Sequence, residues 1–177
     1  MKIISFTYNL HAAIQPHREL VTIDSSGNLS LVHTGESLQV MRAKIVALQN
    51  DLLSRPGTFT ELPLDHQFVD GMYLRRLFIP KGSLIVGKIH KQDCINIVEK
   101  GDISVLSESG SKRVQSGFMI VSPSGMQKVG YAHEDTIFTN IFRTDETDPS
   151  KLEVDLAWET YAAMDAQLQI EGVELCH

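Results

Sequence analysis

The residues with the clearest chemical potential lie in the segment 82–101, GSLIVGKIHKQDCINIVEKG. Lys88, His90, Gln92 and Cys94 occupy every second position of this segment. A β-strand turns alternate side chains to the same face, so one face would carry an amine, an imidazole, an amide and a thiol. Such a row fits a metal site, a ligand pocket or the solvated face of an ordinary sheet.

The composition limits the classes of protein to which the chain can belong. Its 177 residues are 42% hydrophobic and 21% charged, which is typical of one globular domain with a core. The net charge of −6 argues against general nucleic-acid binding, because phosphate contacts need clustered lysine and arginine. Cys94 and Cys176 are too far apart in sequence to indicate a disulfide framework. We find no signal-peptide pattern and no membrane-spanning run, and therefore expect a cytoplasmic protein without membrane association.

Two helical patterns flank a β-rich centre. Between residues 36 and 55 the apolar residues step by three and four, which predicts a helix that covers the sheet, with a dimerisation helix as the alternative. From Pro149 the helical period returns, and Trp158 is the expected anchor of a second packing helix. The residues of the first pattern are Leu38, Met41, Ile45, Leu48 and Leu52, and those of the second are Val154, Trp158, Tyr161 and Leu168.

The central region holds short runs of β-forming residues separated by PKG, EKGD, SESGSK and SPSG. This alternation predicts an antiparallel sandwich or barrel. The expected organisation is an N-terminal arm, hairpin and amphipathic helix in residues 1–57, a barrel in residues 58–148 and a C-terminal helix packed on the barrel in residues 149–177.

Five residues of the opening segment keep the spacing of a known motif. They are Gly82, Lys88, His90, Cys94 and Gly101, separated by five, one, three and six residues. The first motif of the cupin superfamily has this spacing, with Gly, His, His, Glu and Gly at those places. The segment therefore resembles a cupin motif.

A later segment resembles the second cupin motif in the same way. Gly117, Pro123, Gly125, Lys128 and Ala132 stand where the family has Gly, Pro, Gly, His and Asn. The resemblance implies a mainly β fold: a single cupin barrel, also called a double-stranded β-helix or jelly roll, with an N-terminal arm and helix and a C-terminal helix. The phrases GKIH, VSPSG and YAHEDT also resemble a group of phage and prophage cupin-like proteins without a settled activity, which would place the protein in a host cytoplasm.

The family's usual metal ligands are mostly replaced in this chain. A metal-binding cupin holds Fe, Mn, Zn or Ni with His, His, Glu and His, and here those places carry Lys88, His90, Cys94 and Lys128. A lysine must lose its proton to bind a metal, which costs about 4.6 kcal/mol at pH 7. We therefore expect no four-ligand centre and no metal cofactor. The alternative is a reduced zinc or iron site formed by His90, Cys94 and His133.

The two lysines favour an anionic ligand instead. If both motifs face the barrel interior, Lys88 and Lys128 approach each other, and a buried charge requires a partner. That partner is either a carboxylate of the protein, from Glu99, Glu134 or Asp135, or a small carboxylate or phosphate ligand. The predicted ligand-binding residues are Lys88, His90, Gln92, Cys94, Lys128, Tyr131 and His133, and the expected apolar walls are Leu84, Val86, Ile97 and Phe138.

Three functions are compatible with these residues. The leading hypothesis is a small-molecule binding protein for an anion, which would act on a host metabolite or factor if it is phage-encoded. The second is a cupin isomerase, dioxygenase or sugar-modifying enzyme, with His90 or His133 as the general base. The third is a homodimeric interaction protein. The cupin resemblance implies pairing through an N-terminal strand or an edge of the sheet, and the N-terminal arm and helix would supply additional surface.

Overall fold

A computed structural model of the chain describes residues 4–7, 21–23, 29–31, 38–54, 61–108 and 110–171. Within these ranges the helices are α1 (Leu38–Ser54), α2 (Pro149–Leu156) and α3 (Tyr161–Ile170). The strands are β1 (Ile4–Thr7), β2 (Val21–Ile23), β3 (Leu29–Leu31), β4 (Leu64–Val69), β5 (Met72–Ile79), β6 (Ser83–Val86), β7 (Ile89–His90), β8 (Cys94–Lys100), β9 (Asp102–Ser107), β10 (Gly110–Gln115), β11 (Met119–Ser122), β12 (Val129–Ala132), β13 (Thr136–Arg143) and β14 (Ala157–Trp158).

Two five-stranded antiparallel sheets face each other. Sheet I has the strand order β1-β6-β12-β9-β10, and sheet II has the order β11-β8-β13-β5-β4. Strands distant in sequence, such as β6 and β12 or β8 and β13, are neighbours in these sheets. This is the strand order of a double-stranded β-helix, and the predicted cupin-type fold is confirmed.

The barrel core lies between the inner faces of the two sheets. Strand β5 shows the pattern that produces it, because Tyr73, Leu77 and Ile79 are buried while Met72 and Phe78 on the other face are exposed. This alternation is the period of two that a sheet with one buried face requires. The buried residues of the inner cluster are Leu62, Leu77, Ile79, Val98, Ile103, Val114 and Ala132.

Helix α1 packs on the outer face of sheet I, as the first helical pattern predicts. Its buried residues are Met41, Ile45, Leu48 and Leu52, at the predicted spacing of three and four. They share a cluster with Leu84, Val86, Leu106 and Val129 from the sheet. Leu38, at the start of the helix, is exposed.

The helical region expected from residue 149 onward is present, but two extended residues, Ala157 and Trp158, divide it into α2 and α3. Asp148 caps α2 through a 3.0 Å bond from the Ser150 N–H, and Thr160 caps α3 through a 3.1 Å bond from the Ala163 N–H. Between these helices β14 pairs with β7. Trp158 is the expected anchor, packed with Ile89 and Met164.

The N-terminal part is described only in its strands. Strands β2 and β3 form the predicted hairpin, and its loop, residues 24–28, lies outside the described residues. Strand β1 pairs with β6 of the same chain. The homodimer stays a prediction. No helix in the described ranges is long and apolar enough to cross a bilayer.

Candidate functional site

A cavity, here called the inner cavity, lies between the inner faces of sheets I and II. The volume that the centre of a water molecule can occupy is about 60 Å³. This is room for a few waters or one small ligand group. Its apolar walls include Leu77, Ile85, Ile103, Val105 and Phe138. Its polar lining comprises Arg75, Lys88, His90, Asn96, Lys128 and Asn140.

The two motif lysines line this same cavity. Lys88 follows β6 and Lys128 precedes β12, and these two strands are neighbours in sheet I. The Gly87 N–H donates to the carbonyl oxygen of Lys128 at 2.8 Å, which fixes the two segments side by side. His90 lines the cavity as well. The convergence of Lys88, His90 and Lys128 expected from the motifs is therefore present in the structure.

The apolar walls beside the lysines differ from those expected. The alternation of inward and outward side chains along β6 does not continue past Val86. Ile85 faces the inner cavity, while Leu84 and Val86 pack against α1. No strand covers Gly87 and Lys88, and the irregular backbone there shifts the alternation by one residue. Leu84 and Val86 are therefore wrong as cavity walls, although Lys88 and His90 face inward.

Of the two apolar wall residues predicted on sheet II, one lines the inner cavity and the other does not. Phe138 lines the inner cavity as predicted. Ile97 does not, because its neighbour Asn96 faces the cavity and adjacent strand residues point to opposite sides.

Three polar residues of sheet II that the motifs did not indicate complete the site. Arg75 Nη2 donates to Asn140 Oδ1 at 2.6 Å, and Asn140 Nδ2 donates to Asn96 Oδ1 at 2.7 Å. Asn96 Nδ2 in turn donates to Ser122 Oγ at 2.7 Å. Because Arg75 lies on the same face of β5 as Tyr73 and Leu77, the alternation of that strand is the sequence signal that could have found it.

The ammonium of Lys128 lies in this network at 3.4 Å from Asn96 Oδ1. Burial lowers the pKa of Lys128, and the positive charge of Arg75 lowers it further, while Cys94 acts in the opposite direction. The described residues that line the inner cavity include no aspartate or glutamate. The site therefore concentrates positive charge in a partly desolvated space.

The carboxylates considered as partners for the lysines are engaged elsewhere or exposed. Glu99 Oε1 accepts from Arg76 Nε at 2.9 Å and from Thr139 Oγ1 at 2.6 Å. Asp135 Oδ1 accepts from the backbone N–H of Lys81 at 2.9 Å. Glu134 is exposed.

His90 and Cys94 form a buried pair beside the inner cavity. Their Nδ1 and Sγ atoms are 3.2 Å apart. Burial, with the charges of Lys128 and Arg75, holds the pKa of His90 well below its usual value, so the imidazole is neutral at pH 7. Burial also raises the pKa of Cys94, which keeps it a thiol. Cys94 itself belongs to the apolar cluster beneath α2, so we assign it to the support of His90 and not to the cavity wall.

Besides Cys94, three more of the predicted ligand-binding residues do not line the inner cavity. Gln92 is in the turn between β7 and β8, where the strand alternation does not hold, and its Nε2 donates to the Arg143 carbonyl at 2.8 Å. Tyr131 packs against the cluster beneath α1, on the outer face of sheet I. His133 Nε2 lies 2.8 Å from Ser104 Oγ, and its ring contacts Tyr131 at a centroid distance of 4.9 Å.

The proposed metal ligands are not brought together either. His90 and Cys94 are adjacent, but His133 lies on the outer side of sheet I because Ser104 faces away from its cavity-lining neighbours Ile103 and Val105. Across the described part of the chain, no group of three or more His, Cys, Asp or Glu residues is placed to hold a metal ion.

No family model matches the chain, and no curated protein is detectably similar to it. Solved structures that match include a cupin-2 domain containing protein from Shewanella frigidimarina, with 17% identity over 54% of this chain and 91% of that chain and a TM-score of 0.41. A cupin-like protein from Thermotoga maritima matches with 12% identity over 50% of this chain and 73% of that chain, at a TM-score of 0.43. The Cnp3 cupin domain of Schizosaccharomyces pombe matches with 12% identity over 66% of this chain and 74% of that chain, also at 0.43.

At these identities and TM-scores the matches carry no argument about the function of this chain. The resemblance to phage and prophage proteins is not tested by these matches and stays a prediction. The fold is assigned from the strand order and from the motif turns, where Gly101 and Gly125 have φ values of +94° and +80°. The chain therefore has the fold of the cupin superfamily.

Proposed function

We propose that the protein binds a small anionic molecule, with a carboxylate or phosphate group, in the inner cavity of the barrel. One observation carries the proposal. Arg75, Lys88 and Lys128 line the cavity, and its described lining contains no carboxylate. An anion between these side chains would accept charge-assisted hydrogen bonds from them.

The two best-defined cations are positioned before any ligand arrives. Asn140 Oδ1 holds the guanidinium of Arg75 at 2.6 Å, and Asn96 Oδ1 lies 3.4 Å from the ammonium of Lys128. The bond between Asn140 and Asn96 joins both cations in one network. Such preorganisation reduces the entropy that a ligand loses on binding. The apolar walls lower the local dielectric constant, which strengthens each charge-assisted contact.

Calorimetric titration of the protein with phosphate, organic acids, sugar acids and nucleotides tests the proposal. We expect at least one anion to bind the wild type, and a Lys88→Ala, Lys128→Ala double variant to lose roughly 100-fold or more in affinity, because each charge-assisted hydrogen bond contributes about 1.5–3 kcal/mol. The matched control is a Lys100→Ala, Lys151→Ala double variant, which removes the same charge from exposed positions. Equal affinity in wild type and cavity variant would remove the proposal.

A second candidate function is catalysis, and His90 is the observation in its favour. Its neutral imidazole lines the inner cavity, where it would accept a proton from a bound ligand. Zinc or iron bound by His90 and Cys94 remains the alternative source of chemistry, and both side chains suit these metals. An enzyme would convert the bound anion chemically, whereas a binding protein would not. If His90 is the base, His90→Ala should lose the conversion while it still binds the anion.

A further inference from the structure

A second cavity, here called the outer cavity, adjoins the inner one. It lies between β10 and β11, which are edge strands of sheets I and II. It offers about 270 Å³ to the centres of water molecules, several times the space of the inner cavity. Asn96, Val105, Lys128 and Phe138 line both cavities. The two spaces therefore share one wall, and the ammonium of Lys128 lies at their junction.

The polarity of the lining changes from one cavity to the other. The inner cavity holds Arg75, Lys88, His90 and Asn140. The outer cavity is walled chiefly by the side chains of Val105, Val114, Phe118, Ile120, Met126 and Phe138. Ligand sites that are apolar with a few convergent polar groups recognise molecules with the same distribution of polarity.

The rim of the outer cavity, on the side away from the inner cavity, carries a charged residue. Lys112 lines the outer cavity, and its ammonium lies 4.5 Å from the centroid of the Phe118 ring. This contact places a cation against the Phe118 ring at the rim. The lining between the rim and Lys128 also includes the small hydroxyl side chains of Ser107, Ser111 and Ser122. A ligand body in the outer cavity would thus contact apolar side chains below a charged rim.

We propose that the ligand is an anion with an apolar body, such as an aryl or short alkyl carboxylate or phosphate. Its charged group lies against Lys128 and Arg75, and its body fills the outer cavity between Phe118, Ile120 and Phe138. This inference rests on the proposed function, because it takes the inner cavity as the site of the charged group. It adds the chemical class of the ligand. Inorganic phosphate and small hydrophilic acids are then not the preferred ligands.

Three probe molecules separate the contributions of the charged group and of the apolar body to the binding affinity. They are phenylacetate, acetate and phenylacetamide. We expect phenylacetate to bind the wild-type protein at least about tenfold more tightly than acetate, because its ring buries apolar surface. We also expect it to bind at least about tenfold more tightly than phenylacetamide, which has the same ring and no charge. Calorimetry measures these affinities, with ligand-observed NMR where binding is weak.

A pair of variants on one strand locates the body. Ile120 lines the outer cavity and is 48% exposed, so Ile120→Asn is compatible with folding. It is expected to weaken phenylacetate several-fold and to leave acetate unchanged. Met119→Asn is the matched control, because Met119 is 65% exposed and lies on the opposite face of β11.

The outcomes separate this inference from the proposed function. Equal affinities for acetate and phenylacetate would overturn the apolar body and leave anion binding in place. Equal affinities for phenylacetate and phenylacetamide would overturn anion binding itself. The absence of binding by all three probes would overturn the inference, since phenylacetate carries both required features.

Discussion

Replacing Lys128 with methionine is expected to stabilise the unliganded protein by about 1–2 kcal/mol at pH 7, because the substitution removes a buried charge and keeps an apolar side chain of similar length. Burial and Arg75 lower the pKa of Lys128 in the folded protein. A lowered pKa means that folding disfavours the ammonium. The same substitution is expected to weaken anion binding, since it removes a donor from the inner cavity. Stability and binding thus change in opposite directions.

The gain from Lys128→Met should also depend on pH in a defined way. Below the folded-state pKa of Lys128 the side chain is charged in both the folded and the unfolded protein, and the gain is complete. Between that pKa and the ordinary lysine value the unfolded chain holds a proton that the folded protein lacks, so the wild type becomes more stable as pH rises. The difference between variant and wild type should therefore shrink at alkaline pH.

Urea denaturation of wild type and Lys128→Met at several pH values measures this difference. Lys100→Met is the matched control, because Lys100 is exposed and its replacement should change stability by less than about 0.5 kcal/mol. A loss of more than about 1 kcal/mol in Lys128→Met would show that Lys128 stabilises the free protein through a partner. The charge of Lys128 would then be neutralised within the protein and would not require the proposed anion.

Replacing Gly101 with alanine is expected to cost about 3–5 kcal/mol of unfolding free energy, as the sum of backbone strain and overpacking. Gly101 has a φ of +94° in the turn between β8 and β9. A Cβ atom there would lie 2.5 Å from Thr136 Oγ1 and 2.7 Å from the Asp135 carbonyl oxygen. The carbonyl is backbone and cannot rotate away, so the turn or the start of β13 must shift.

Gly117→Ala separates the two causes. Gly117 has a similar φ of +89°, and a Cβ at that position would meet nothing within 4 Å. Its replacement should therefore cost only the backbone strain, about 1–2 kcal/mol. Denaturation curves of both variants give the comparison. Equal losses at the two glycines would show that Gly101 is not held against Asp135 and Thr136, contrary to the described packing.

The turn residues made the fold predictable from the sequence, because a tight turn with positive φ restricts which residues fit. The same motifs brought Lys88, His90 and Lys128 to one cavity. Gln92 was misplaced because strict alternation fails in the turn between β7 and β8. Arg75 and Asn140 were missed because they lie in strands outside the two motifs, where only their position between apolar neighbours marks them as inward-facing.

Other elements depended on pairings that the local sequence does not contain. Strand β10, Gly110–Gln115, is mostly polar and exposed, so its hydrophobicity gave no strand signal. It forms because it pairs with β9 in sheet I. Residues Ala157–Trp158 leave the helical pattern because they pair with β7. In both cases the partner strand decides the conformation, and local propensity is overridden.

We expect the cations that line the inner cavity to bind an anion. The most direct measurement is the calorimetric titration of wild type and of the Lys88→Ala, Lys128→Ala double variant with the same anion, alongside the surface-lysine control. We expect saturable binding by wild type and control, and a loss of roughly 100-fold or more in affinity in the cavity variant. Binding of the anion with equal affinity by all three proteins would contradict this expectation.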